Sequence, residues 1–133
     1  MQIRTAVPIN VNRIKNADKK QHLLRLRRGL REATVRMIVE NGGIALIADL
    51  NPDAGAALEK ALGSAALFVK TDITREEEVI AALELGAAKF GPIHGLINCA
   101  GLGPAQRVLG KNGVHDLAFF EKIIRVNLVG SFN

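Results

Sequence analysis

The run Ile44–Asp49 (Ile-Ala-Leu-Ile-Ala-Asp) constrains this chain more than any other stretch. Five apolar residues follow one another and an acid closes the run. Alternation of polar and apolar residues would mark a strand with one wet face. A short unbroken apolar run marks a strand buried on both faces, as in parallel sheets covered by helices. Such a sheet needs crossover helices, and the flanking sequence supplies them. Upstream, the pattern predicts a helix over about Leu30–Asn41, with Thr34, Met37 and Ile38 facing inward and Gly42–Gly43 ending it. Downstream, Pro52 suits a first helical turn, Ala54–Leu62 continues it with good helix formers, and Gly63 ends it.

The alternation then repeats. Ala66–Lys70 reads as a second strand. Thr74 and Glu77 have the spacing of a capping box at the start of a helix. Val79, Leu83, Ala87 and Phe90 recur at helical spacing on one face, and Gly91–Pro92 stop the helix. Ile93–Asn98 reads as a third strand. A Gly-rich loop runs from Gly101 to about Val114. Asp116 can cap a last helix with Phe120, Ile124 and Leu128 along one side. Strand, helix, strand, helix with short links is the pattern of right-handed βαβ units on a parallel sheet, so the expected class is α/β.

Length and charge narrow the functions. The 133 residues are 48% apolar, enough for one domain with a real core. No apolar run approaches the ~18–20 residues of a membrane span, and no segment has the layout of a secretory signal. Cys99 is the single cysteine, which suits a reducing intracellular compartment, cytoplasmic or mitochondrial. The net charge of +5 is unevenly placed. Residues 1–36 hold 10 Lys and Arg against 2 acids, and the remainder holds 8 against 11. A uniform nucleic-acid-binding domain is not expected to divide this way. Ala6–Val11 could form a short strand, although Pro8 argues against a central one. Lys19–Arg28 is a basic helical stretch.

Five places carry candidate chemistry. Gly29 precedes the first predicted helix, where a dinucleotide fold needs glycines so that its backbone can approach a pyrophosphate. It is equally an ordinary glycine near a helix start. Asp49 ends the first strand, where a carboxylate can accept bonds from ribose hydroxyls; it could instead open a turn with Asn51 and Pro52. Asp72-Ile73 lies just after the second strand, either meeting an adenine or shaping the turn into the helix that follows. In Leu96-Ile97-Asn98-Cys99-Ala100-Gly101 the small residues after a strand leave room for a flat ligand, or simply make a turn. Asn127 lies in a helical run, where a buried amide needs partners; it could also face solvent. No metal site is expected.

Taken in order, Asp49, Asp72-Ile73, Asn98-Cys99-Ala100-Gly101 and Val126-Asn127-Leu128 resemble the short-chain dehydrogenase/reductase family. The likeness covers about residues 29–133 and is nearest to the type 2 3-hydroxyacyl-CoA dehydrogenase (type 10 17β-hydroxysteroid dehydrogenase) branch. Asn98-Cys99-Ala100-Gly101, followed by the loop Pro104–His115, carries that narrower match, and Ala33–Arg36 and Ile47–Asn51 are also similar to it. The resemblance implies a Rossmann-like parallel sheet with flanking helices and NAD as cofactor. It implies that Asp49 and Leu50 sit at the adenosine ribose, that Asp72 and Ile73 bracket the adenine, and that Asn98, Ala100 and Gly101 line the cofactor cleft. Gly29 would be the surviving loop glycine, and Asn127 the catalytic-tetrad asparagine. It further implies oxidation of a 3-hydroxyacyl-CoA or hydroxysteroid, and a homo-oligomer in which the last helix packs between subunits.

The departures bear on activity. Aligned on Gly29, the other two loop glycines are Arg25 and Arg31 and the loop threonine is Leu24. The family's Ser, Tyr and Lys have no counterpart, and the chain contains no Tyr at all. The expectation is therefore an atypical basic segment, 1–28, followed by a partial NAD-binding domain, 29–133. Its first strand would be disrupted, its later strands missing, and the chain alone inactive. A rival reading makes it a non-catalytic module whose basic segment 19–31 contacts nucleic acid or an acidic membrane.

Overall fold

A computed structural model describes residues 19–104, 106–111 and 113–133, with side chains from Leu30 onward. The candidate strand Ala6–Val11 and the opening Met1–Ile3 lie outside the described residues. Helix α1 spans Lys19–Glu40, strand β1 Ala45–Asp49, helix α2 Pro52–Leu62, strand β2 Ala66–Lys70 and helix α3 Glu76–Phe90. A two-residue hairpin follows, β3 (Leu109–Gly110) and β4 (Gly113–Val114). Helix α4 (Leu117–Ile124) runs through a π-helical stretch, Arg125–Val129, into α5, Gly130–Phe132.

β1 and β2 pair in parallel, Ala45 opposite Ala66 through Asp49 opposite Lys70. Period-2 alternation sends Ala45 and Ile47 to one face and Leu46 to the other. On the first face, Ala45 and Ile47 form one buried cluster with Val35 of α1, Leu58 of α2 and Ala66 of β2; Val39, Leu62 and Phe68 pack against it. Burying Ile47 alone is worth about 1.5–3 kcal/mol. On the second face α3 lies on Leu46. A Cβ at Gly86 would come within 2.7 Å of Leu46 Cδ2, so the missing side chain sets how closely α3 approaches. Gly55 plays the same part for α2, where a Cβ would run into the Phe68 ring. The result is a parallel sheet between helices, the Rossmann-like arrangement expected.

The helix faces differ from the expected ones. α1 turns Val35 to the core, with Val39 packed beside it, while Thr34, Met37 and Ile38 are half-buried. Thr34 bonds back to its own helix, Oγ1 donating to the Leu30 carbonyl at 2.8 Å. α3 buries Ala82 and Gly86, leaving Leu83 and Ala87 exposed. Small residues allow the close approach, and a Leu on that face would hold the helix away. The expected capping box is also replaced. α3 begins at Glu76 with Arg75 as its cap residue, and Thr74 serves the preceding turn.

The largest correction concerns Ile93–Asn98, which forms no strand. In doubly wound sheets with the order 3-2-1-4-5-6, the first strand lies between the second and the fourth. Here β1 and β2 stand for the second and third strands of that order. The run 93–98 stands for the fourth, whose neighbour would be the strand preceding α1. Among the described residues no strand precedes α1. A strand is defined by its pairing, and among the described residues 93–98 has no pairing partner; Leu96 is 77% exposed.

Candidate cofactor site

The candidate residues gather where β1 and β2 end. The Asp49 carbonyl accepts from Thr71 N–H at 3.0 Å, so the turns that leave the two strands lie side by side. Thr71 is buried, its hydroxyl donating to the Val69 carbonyl at 3.0 Å. The backbone bond from Thr71 to Asp49, which no sequence pattern announced, ties the two turns together.

Asp49 is engaged on both carboxylate oxygens. Oδ1 accepts from Asn51 N–H at 2.7 Å, and Oδ2 is paired with the Arg31 guanidinium. Asn51 in turn caps α2, its Oδ1 accepting from Ala54 N–H at 3.1 Å. The turn with Asn51 is therefore present, and it leaves the carboxylate at the strand end where a ribose acceptor would stand. Leu50 is exposed beside it.

Asp72 shapes the next turn. Its Oδ1 accepts from both Thr74 N–H, at 2.9 Å, and Thr74 Oγ1, at 2.8 Å. Its own N–H donates to Glu78 Oε2 at 2.7 Å. The two Thr74 bonds, chiefly, hold the Asp72 carboxyl below its usual range, with smaller help from Arg75 and Arg125. Ile73 reaches the last helix. A Cβ on Gly130 would lie 2.7 Å from Ile73 Cδ1, and Asn133 Nδ2 donates to the Ile73 carbonyl at 2.9 Å.

Asn127 is neither buried nor solvent-directed. Its Oδ1 accepts from Leu102 N–H at 2.7 Å and its Nδ2 donates to the Leu102 carbonyl at 2.8 Å. Both ends of one amide thus clamp one residue of the loop after Gly101. A Cβ on Gly101 would stand 3.2 Å from Asn127 Oδ1, so a glycine there lets the clamp close. Asn127 lies in the π-helical stretch, and such stretches frequently occur at functional sites. Asn98 and Ala100 are exposed on the segment leading into this loop.

Gly29 is not where the sequence pattern put it. It lies inside α1, which begins at Lys19, and so it marks no loop between strand and helix. Helical pairing occupies the backbone groups that such a loop would aim at phosphate. The helix also runs across the expected boundary at residue 28. Arg31, at a position where the family pattern has a glycine and at the end of the basic stretch 19–31, is here the partner of Asp49. Among the described residues no group of three His, Cys, Asp or Glu could hold a metal. Among them, too, no helix is long and apolar enough to cross a membrane.

The order of these residues along the sheet end can be compared with known proteins. The family model for short chain dehydrogenases matches residues 26–133. The chain belongs to the short-chain dehydrogenase family. It is 39% identical over 107 residues to 3-hydroxyacyl-CoA dehydrogenase type-2 of Bos taurus, covering 79% of this chain and 41% of that protein. The Homo sapiens protein of the same name is 38% identical over 107 residues, with 79% and 41% covered. The crystal structure of 3-hydroxyacyl-CoA dehydrogenase type-2 from Mycobacterium avium superposes with a TM-score of 0.65 at 37% identity, over 78% of this chain and 41% of that one. The chain spans about two-fifths of the length of these relatives.

Dehydrogenases of this family use nicotinamide cofactors, and the residues here fit such a group unevenly. The adenosine end fits: Asp49 ends the first strand, Asp72 stands two residues past the second, and the apolar Ile73 follows it. The pyrophosphate end does not fit, because α1 carries its helix through the positions where loop glycines belong.

Proposed function

We propose that this chain carries the adenosine end of an NAD-type site in a short-chain oxidoreductase of the 3-hydroxyacyl-CoA dehydrogenase kind, and that the 133 residues alone catalyse no turnover. One observation carries the reading: Asp49 and Asp72-Ile73 stand on adjacent turns at the same end of a parallel strand pair, joined by the Thr71–Asp49 bond. A ribose hydroxyl pair would take its acceptor from Asp49, and an adenine would lie between Asp72 and the Ile73 side chain. A carboxylate at the ribose favours NAD over its 2′-phosphorylated form. Asn127 acts here as a positioning residue, fixing the loop after Gly101 through Leu102. The oxidised substrate, by likeness to the relatives, is a 3-hydroxyacyl-CoA or a hydroxysteroid, and assembly into a homo-oligomer goes with the same likeness. The absence of any tyrosine supports inactivity, since the family's general acid/base is a tyrosine and no side chain here replaces it.

A circular-dichroism melt with and without NAD tests the binding claim. Ligand at about 100 times its dissociation constant stabilises a folded state by roughly 2.7 kcal/mol. A cooperative transition that moves up by several degrees is expected. A cooperative transition that NAD leaves in place would remove the cofactor assignment. NADH production from a 3-hydroxyacyl-CoA by these residues alone would remove the inactivity claim.

A further inference from the structure

We propose that the outer edge of β2 is a docking surface for a second copy of this chain, and that Lys89 holds it shut. Among the described residues β2 has a strand partner only in β1. Thr71 N–H, just past the strand, is directed at β1. Backbone groups alternate sides along a strand, so Ala66, Phe68 and Lys70 turn theirs to the open edge. Such a row of unpaired groups is a template for another strand unless something covers it. Lys89 covers one end. It reaches round the edge from the last turn of α3, its Nζ donating to the Ala66 carbonyl at 3.3 Å. The same ammonium lies 4.0 Å from Glu59 Oε1 on α2, the helix of the opposite face. The lysine side chain is 43% exposed, so it can leave this position without disturbing the core.

The edge is complementary to itself. In an antiparallel pair centred on Phe68, Leu67 stands opposite Val69 of the second copy, and Ala66 stands opposite Lys70. Lys70 N–H of the second copy then points at the Ala66 carbonyl, the acceptor that Lys89 occupies. Residues opposite each other project to the same face. Ala66 lies on the α2 face, so Lys70 of the second copy arrives on that face beside Glu59. Two-fold symmetry repeats both contacts at the other end. On the α3 face, Leu67 and Val69 line an apolar groove with Leu85 and Ala88, and the incoming strand adds its own Val69 and Leu67 to it. Lys89 and a second copy therefore compete for one carbonyl and one carboxylate.

Sedimentation equilibrium of the full chain tests this. Lys89→Met keeps the apolar stem and removes the ammonium. It should self-associate about five- to thirtyfold more tightly than the wild type, because each dimer gives up two partly exposed contacts. Adding Glu59→Lys sets like charges against Lys70 of the second copy and should cancel the gain. Adding Lys70→Glu to that protein reverses the pair and should restore it. Amide exchange reads the edge directly: Phe68 and Lys70 N–H should slow with rising concentration of Lys89→Met. That second readout separates β2 pairing from association through the exposed side of α4, which leaves both amides unchanged. Lys89→Met that associates no more tightly than the wild type would overturn the proposal. So would a gain that Glu59→Lys leaves in place, or one that leaves the Phe68 and Lys70 amides unprotected.

Discussion

The two parts of the chain use similar amounts of apolar sequence to different effect. From Val35 to Phe90 each strand has a partner and each sheet face has a helix, and the buried residues Val35, Ala45, Ile47, Leu58, Ala66 and Ala82 all lie there. From Ile93 onward Leu96, Val108, Leu109, Leu117 and Leu128 are all more than 60% exposed. Hydropathy alone does not separate the two. Pairing does: β1 and β2 satisfy each other's backbone, and once joined they give α2 and α3 a surface to cover. The run 93–98 carries the large apolar residues Ile93, Leu96 and Ile97, but among the described residues it has no strand neighbour, and all of them are exposed. The loop that follows it is held by a point contact, the Asn127–Leu102 clamp.

Truncation in the core tests this contrast most severely. Ile47 is 2% exposed, and Ile47→Ala should cost about 2–5 kcal/mol through lost burial and the cavity left behind. Leu96→Ala removes a side chain of equal size that is 77% exposed, and should change stability by less than about 0.5 kcal/mol. Urea unfolding of both variants checks the pair. Similar losses would mean that 93–98 packs as a strand after all.

A smaller effect comes from adding atoms. Gly55→Ala puts a methyl group against the Phe68 ring, and overpacking of this kind typically costs about 1–3 kcal/mol. Gly63→Ala meets nothing within 4 Å, but its φ of +61° disfavours a side chain, so its loss is backbone strain of about 1–3 kcal/mol. Adding Phe68→Leu separates the mechanisms. It should recover stability in the Gly55→Ala protein and leave the Gly63→Ala loss unchanged.

Smaller still is the global effect of Asn127→Ala. The amide's two bonds are exposed, each worth about 0.5–1.5 kcal/mol at most, and they hold a loop rather than the core. The midpoint of unfolding should barely move, while amide exchange at Leu102 should speed up by an order of magnitude or more. A large fall in the midpoint would show that the later segment is part of the same cooperative unit as β1 and β2.

These contrasts also explain which features the sequence disclosed. β2 matched its apolar run end to end, β1 to within one residue, and Asp116 caps α4 as its position suggested, its side chain accepting from Ala118 N–H at 3.2 Å. Each of those signals is local. The turn chemistry of Asp49 and Asp72 was legible for the same reason, since each bonds a residue two positions on. The strand at 93–98 and the helix faces depend on what lies across a gap in sequence, which periodicity does not report. Arg31 and Asp49 lie 18 positions apart, and only the placement of α1 along β1 brings them together. Thr74 had two local uses, capping α3 or closing the Asp72 turn. The turn won because Asp72 offers a charged acceptor to both its N–H and its hydroxyl.

That choice has a consequence in acid, the smallest effect of the series. The Thr74 bonds lower the Asp72 pKa in the folded protein. A carboxyl whose folded pKa is depressed adds stability above its unfolded pKa, about 3.9, and loses it as pH falls through the lower folded value. Asp72→Asn keeps an oxygen for the turn but does not titrate. The wild type should therefore exceed the variant in stability at neutral pH and lose that margin below about pH 4. Arg75 makes only a minor contribution to the shift, so Arg75→Gln should leave most of the margin in place. A margin that stays constant from pH 7 to pH 3 would mean that Thr74 is held by geometry alone, and that the charge at this turn is free to serve a ligand.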